Sequence, residues 1–236
     1  MNDLRPEFHH ELDALRNDIA RLGASVVELI PRVTDILLQQ DLEGAEYVLR
    51  GDVDIDERAM DIEERALTSL ALQAPVASDL RQVAAALKLA PEIERSADLC
   101  CNICKAARRI YGHQLDPKLR GAIQRMSDQA HQEYKEVIEA YIAGDSVRAA
   151  ALVDMDDFLD QLHRQFIQQI FESHAAGTID LQVAVQLAVV ARFYERLGDH
   201  AVNIAQRVMY IATGWMPVHD AVRRHRESLA EGRTPG

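Results

Sequence analysis

The chain has 236 residues, 48% of them hydrophobic, and its 38 acidic against 26 basic side chains give a formal net charge of −12. Such a chain lacks the basic field on which nucleic-acid binding depends. It also contains no apolar run near the ~18 residues that a membrane span needs, so neither nucleic acid nor direct membrane insertion is expected.

With 11 glycines, 7 prolines and few aromatics, the composition is that of a helix former. The opening stretch, Met1 to His10, is polar and has no signal-peptide core. A first helix is expected from about Arg5 to Gln40, with Gly23 and Pro31 inside it and a kink near Leu29, because Pro31 removes a backbone donor. Asp41 is a good N-cap for a second helix reaching about Leu72, which Gln73-Ala74-Pro75 ends. A third runs from near Ser78 to Tyr111-Gly112. It carries all three cysteines, Cys100, Cys101 and Cys104. An odd, clustered set is no disulfide framework and points to a reducing cytoplasm. Cys101-Asn102-Ile103-Cys104 spells C-x-x-C, but in mid-helix rather than at the helix N-terminus that redox versions use, so packing is its expected role.

The pattern then restarts. Asp116-Pro117 opens a fourth helix that reaches Ala143-Gly144, Asp145 caps a fifth ending between His174 and Gly177, and Thr178 is expected to cap a sixth ending at Thr213-Gly214. Shifting the second helix by 104 residues places Asp41, Ala45, Asp52 and Asp56 on Asp145, Ala149, Asp156 and Asp160. Shifting the third by 101 places Asp79, Leu80, Glu94, Arg95, Asp98, Asn102 and Ile103 on Asp180, Leu181, Glu195, Arg196, Asp199, Asn203 and Ile204. The chain therefore reads as all-α, six long helices in two tandem, pseudo-symmetric three-helix bundles. The expected divisions are 1–112, 113–214 and a partly disordered C-terminal tail, 215–236.

The repeat carries paired acids. Asp52/Asp56, Glu94/Asp98, Asp156/Asp160 and Glu195/Asp199 are each four residues apart, which on a helix stacks two carboxylates on one face. Such like-charge pairs weaken a helix by roughly 0.2–0.5 kcal/mol. Asp52 and Asp56 fall within roughly 80° of an apolar stripe read as Ala45, Val48, Leu49, Ala59, Met60, Ala66, Leu67 and Leu70. Asp156 and Asp160 interrupt Ala149, Leu152, Val153, Ile167, Ile170 and Phe171, with His163 beside them. A carboxylate removed from water needs a metal, an arginine or a proton. Glu94/Asp98 and Glu195/Asp199 lie about half a turn from Leu99, Ile103 and Ile110 and from Leu197, Ile204 and Ile211, and Asn102 and Asn203 extend their lines. Oxygen donors suit magnesium, manganese, calcium or iron, with zinc also within range. His163 would tilt the second site toward iron or zinc, Cys101 is a weaker candidate for the first, and His200 points off the line and reads mostly as packing. Against a metal stand the arginines: Arg95 and Arg196 sit three residues before Asp98 and Asp199, and Arg58, Arg65 and Arg81 are within bridging range. A di-metal enzyme of ferritin-like type would need Glu-x-x-His on two helices, and only Glu7 to His10 fits. A metal-free helical adaptor is the third reading.

Gln73-Ala74-Pro75-Val76-Ala77-Ser78-Asp79-Leu80-Arg81, Glu195-Arg196-Leu197-Gly198-Asp199-His200-Ala201-Val202-Asn203-Ile204 and the opening Phe8-His9-x-Glu11-Leu12-x-x-Leu15 resemble the PhoU family of phosphate-uptake regulators, over about Arg5 to Gly214. The resemblance implies a cytoplasmic, often homodimeric, non-enzymatic regulator of two three-helix bundles that binds iron or zinc clusters. It also implies action with the ATPase subunit of the phosphate ABC transporter and with a membrane sensor histidine kinase, repressing phosphate-starvation genes. By position, Asp52, Asp56, Glu94 and Asp98 would form one site and Asp156, Asp160, Glu195 and Asp199 the other. The first half departs from the pattern, with Ser96-Ala97 in place of the usual apolar-Gly pair.

Overall fold

The computed structural model describes residues 6–153 and 157–215, and among these all regular structure is helical. The helices are α1 (Pro6–Gln39), α2 (Leu42–Gln73), α3 (Ala77–Arg109), α4 (Pro117–Ala143), α5 (Ser146–Val153), α6 (Asp157–Ala175) and α7 (Leu181–Thr213). The expected fifth helix is thus described as α5 and α6, either side of residues 154–156.

Short polar side chains set most of the starts by satisfying amide groups that the first turn leaves without partners. Asp41 accepts from the Gly44 amide at 2.9 Å, and Asp116 from that of Leu119 at 2.9 Å, with Pro117 in the first turn. Asp145 accepts from the Val147 and Arg148 amides at 3.0 Å. For α7 the expectation needs correcting. The cap is Asp180, which accepts from the Val183 amide at 2.8 Å, while the Thr178 hydroxyl donates to the Ser173 carbonyl and to Asp116. Gly144 and Gly214 end α4 and α7 in the left-handed conformation that favours glycine. Helix α1 continues through Pro31 and α3 through Pro91.

Helices α1, α2 and α3 pack together, as do α4, α5, α6 and α7, and the two units join where α1 meets α4 and α3 meets α7. Two features fix that junction. Gly23 of α1 lies so close to α4 that a Cβ there would stand 2.9 Å from Cγ1 of Ile138. Deeper in, the Thr34 hydroxyl lies 2.6 Å from both Ser127 Oγ and the Tyr194 hydroxyl while donating to the Ile30 carbonyl, a buried knot tying α1 to α4 and α7. All three hydroxyls are thereby satisfied in an apolar interior, as buried polar groups must be.

The apolar stripes are rotated from those read in the sequence. On α2 the buried line is Ala45, Val48, Ile55, Ala59, Ile62, Ala66 and Ser69, whereas Met60 and Leu67 are exposed. On the fifth-helix segments it is Ala149, Leu152, Leu159, Leu162, Phe166 and Ile170, and Phe171 is exposed. Asp52 and Asp56 therefore stand at the edge of the buried face, half-covered, rather than inside it. The cysteines Cys100, Cys101 and Cys104 are free and buried, as packing requires.

Candidate metal centre

In the first unit the hairpin of α2 and α3 brings the two acid pairs together along its seam. Burial is the main cause that raises Asp56 above its ordinary carboxylate value, followed by the negative charges of Asp52 and Asp98. Glu94 is raised by burial first and then by Asp98, Asp56 and Asp52, with Arg95 opposing. Each shift is the expected response of a carboxylate gathered among like charges and partly withdrawn from water. Among the described residues, no arginine, lysine or histidine comes within ion-pair distance of Asp52, Asp56, Glu94 or Asp98. Arg65 is spent on Glu11, Asp18 and Asp61, and Arg81 on the Ile211 carbonyl. One further group joins the seam: the Cys101 thiol donates to Asp52 Oδ1 at 3.2 Å, and burial together with that contact pushes the thiol well up.

The second unit differs. Asp160 is half-buried and lies near His163, whose imidazole is held below its usual range by burial and by Arg192, with Asp160 opposing. Arg192 pairs directly with Glu195 Oε1, while Glu195 Oε2 is buried without a hydrogen-bond partner. Asp199 is exposed. Asp156 lies outside the described residues. Arg192 was missed by sequence reasoning, which weighed Arg196 instead. The repeat offered a signal for it, since the shift of 101 places Arg192 on Pro91, which carries no charge. The first unit's acids go unanswered and the second unit's Glu195 is compensated because these equivalent positions hold different residues.

Two candidates serve elsewhere. Asn203 donates to Glu92 Oε1 at 2.6 Å, and His200, expected to pack, places Nδ1 2.7 Å from the same oxygen. Glu92 is held below the usual carboxylate range: its burial alone would raise it, and the bonds from His200 and Asn203 outweigh that. Asn102 accepts from Lys105 at 3.1 Å.

A divalent cation fits the first unit in kind, since oxygen donors with uncompensated charge are what hard and borderline cations select. Among the described residues, no three His, Cys, Asp or Glu side chains converge as a ready cage. The residues available to hold an ion are Asp52, Asp56, Glu94 and Asp98, with Cys101 next to them.

The fold defines a class: an all-helical protein of two tandem helical bundles, the first of which sets carboxylates along the hairpin of α2 and α3. A family model described as PhoU domain matches residues 19–107 and again 123–208, and the chain belongs to the PhoU family. It is 33% identical over 220 residues to phosphate-specific transport system accessory protein PhoU homolog 1 of Mycobacterium leprae, covering 93% of this chain and 98% of that one. Against the PhoU homolog of Rhizobium meliloti it is 27% identical over 210 residues, 89% of each chain. Among solved structures, PhoU from Pseudomonas aeruginosa superposes with a TM-score of 0.83 at 23% identity, over 89% of this chain and 100% of that one. The phosphate transport system regulatory protein PhoU of Streptococcus pneumoniae gives 0.81 at 24%, over 89% and 99%. These two show the shared fold.

Proposed function

We propose that this protein is a metal-binding negative regulator of phosphate uptake and of the phosphate-starvation response. It relays phosphate status in the cytoplasm between the ATPase subunit of a phosphate ABC transporter and a membrane sensor histidine kinase. Family membership supports the phosphate assignment, together with relatives that are named as accessory proteins of the phosphate-specific transport system. The observation that carries the metal is the unanswered acid seam of the first unit, where Asp56 and Glu94 are both driven toward protonation. A bound iron, zinc, manganese or magnesium ion would neutralise that charge and clamp α2 to α3. Asp52, Asp56, Glu94 and Asp98 would hold it there, and Asp156, Asp160, Glu195 and Asp199 are assigned to a second, weaker site. No helix of the described residues is long and apolar enough to cross a membrane, which suits docking to membrane partners from one side. Glu7 and His10, the one ferritin-like spacing, are exposed on the first turns of α1, which gives a di-metal oxidase no support. A homodimer is part of the proposal.

The test is metal content per chain after chelator-free purification, paired with co-purification against the ATPase subunit and the kinase. Asp52→Asn with Asp98→Asn should lose metal while keeping its helical circular dichroism. Unchanged metal content in that variant would refute the site, and failure to hold either partner would refute the relay.

A further inference from the structure

Helix α2 packs chiefly on α1 and α3, and one long face of it is left to solvent. That face is not uniformly polar. Val53, Met60 and Leu67 are 57%, 66% and 57% exposed, and they recur every seven residues. At 100° per residue they fall within about 40° of one another, on a line that also takes in the exposed Leu42 and Ala71. The line lies well over a quarter-turn from the buried face of the helix, so these side chains play no part in the core. Acids flank it on both sides, Glu46, Glu57 and Glu64 along one edge and Asp52, Asp56 and Glu63 along the other. Over Leu42–Gln73 nine carboxylates face three arginines, which gives this helix half of the chain's net charge of −12. One of those arginines, Arg65, is turned toward α1 and bound there by Glu11 and Asp18.

We propose that the outer face of α2 is a docking surface for a basic amphipathic helix of a partner protein, with the partner's apolar residues on Val53, Met60 and Leu67 and its lysines or arginines between the flanking acids. An apolar line at seven-residue spacing is what one helix offers another, and exposed apolar rows rimmed by charge mark interaction sites. The charge selects the occupant. Two copies of this chain laid α2 on α2 would oppose like charges along the whole contact, whereas a basic helix would be steered in and held. One edge of the surface shares Asp52 and Asp56 with the α2–α3 seam, whereas Glu57 and Glu64 on the other edge stand apart from it, so a metal on the seam would leave the apolar line and that second edge in place.

The probe is a labelled synthetic helix of about 18 residues, with leucines on one face and lysines on the other, beside a control in which glutamates replace the lysines. Fluorescence anisotropy with the full chain should show the basic helix binding and the acidic one not. Raising salt from about 0.05 to about 0.5 M should weaken the binding about tenfold or more. The Val53→Ser, Met60→Ser, Leu67→Ser variant should lose about tenfold, while Leu181→Ser, Val185→Ser, Val189→Ser, which alters another exposed apolar line on α7, should not. If the first variant lost helicity, Glu57→Gln with Glu64→Gln carries the test instead, with weaker binding and a flatter salt dependence expected. Equal loss in both serine variants, or none in the α2 variant, would overturn the proposal. So would self-association that the α2 variant abolishes, which would give the face to a second copy. Tighter peptide binding after Arg223→Glu, Arg224→Glu and Arg226→Glu would likewise give it to the chain's own C-terminal segment.

Discussion

Glu92 of α3 and His200 of α7 meet across the junction of the two units, Nδ1 of the imidazole 2.7 Å from Oε1 of the carboxylate. The pair has no counterpart elsewhere in the repeat, because the equivalent positions hold Phe193 and Leu99. It is therefore a link between the units rather than a feature within either. Removing one partner should leave the other buried without its bond. Glu92→Ala is expected to destabilise the protein by about 2 kcal/mol, read as a lower urea midpoint at unchanged slope. Because Glu92 is held below its ordinary value of 4.5, its contribution is present above that value and is lost as pH falls through the lowered one. The gap between wild type and variant should therefore close in acid.

The acid seam predicts the opposite dependence. Asp56 and Glu94 are raised from ordinary values of 3.8 and 4.5, so the unfolded chain releases their protons before the folded one does. Stability is lost as pH rises through that interval and stays lower above it. In chelator-treated protein, Asp56→Asn with Glu94→Gln should melt about 1–2 °C above wild type at neutral pH, with solvent screening keeping the gain small. The advantage should vanish near pH 4. A melting-temperature profile against pH checks both the sign and the interval.

Arg192 should suppress cation binding in the second unit through its pair with Glu195. In an Asp52→Asn, Asp98→Asn background, which silences the first seam, Arg192→Gln should raise zinc affinity about tenfold in competition with a chromophoric chelator. No change would show that the pair does not govern the second site.

The close approach of α1 to α4 can be tested directly. Gly23→Ala places a methyl group against Ile138 and should cost about 1–3 kcal/mol. Ile138→Val removes the Cδ1 atom nearest that methyl, so the double variant should be more stable than the two single losses summed. A double-mutant cycle in urea measures that coupling.

The sequence by itself determined a good deal. The caps at Asp41, Asp116 and Asp145, the all-helical duplication and the family were readable, because each rests on local chemistry or on residues compared with one another along the chain. The orientation of the helices was not. Asp52 lies within 80° of buried Ala45 and of exposed Met60 alike, and only the packing of α2 on α1 and α3 shows which edge faces the core. Likewise a carboxylate four residues from another is the same motif whether a guanidinium reaches it or not. Pro91 in one unit and Arg192 in the other decide that, and so does Arg65 turning to α1. Which charges are answered is a property of distances between helices, and these are fixed only when the side chains of six long segments compete for one interior.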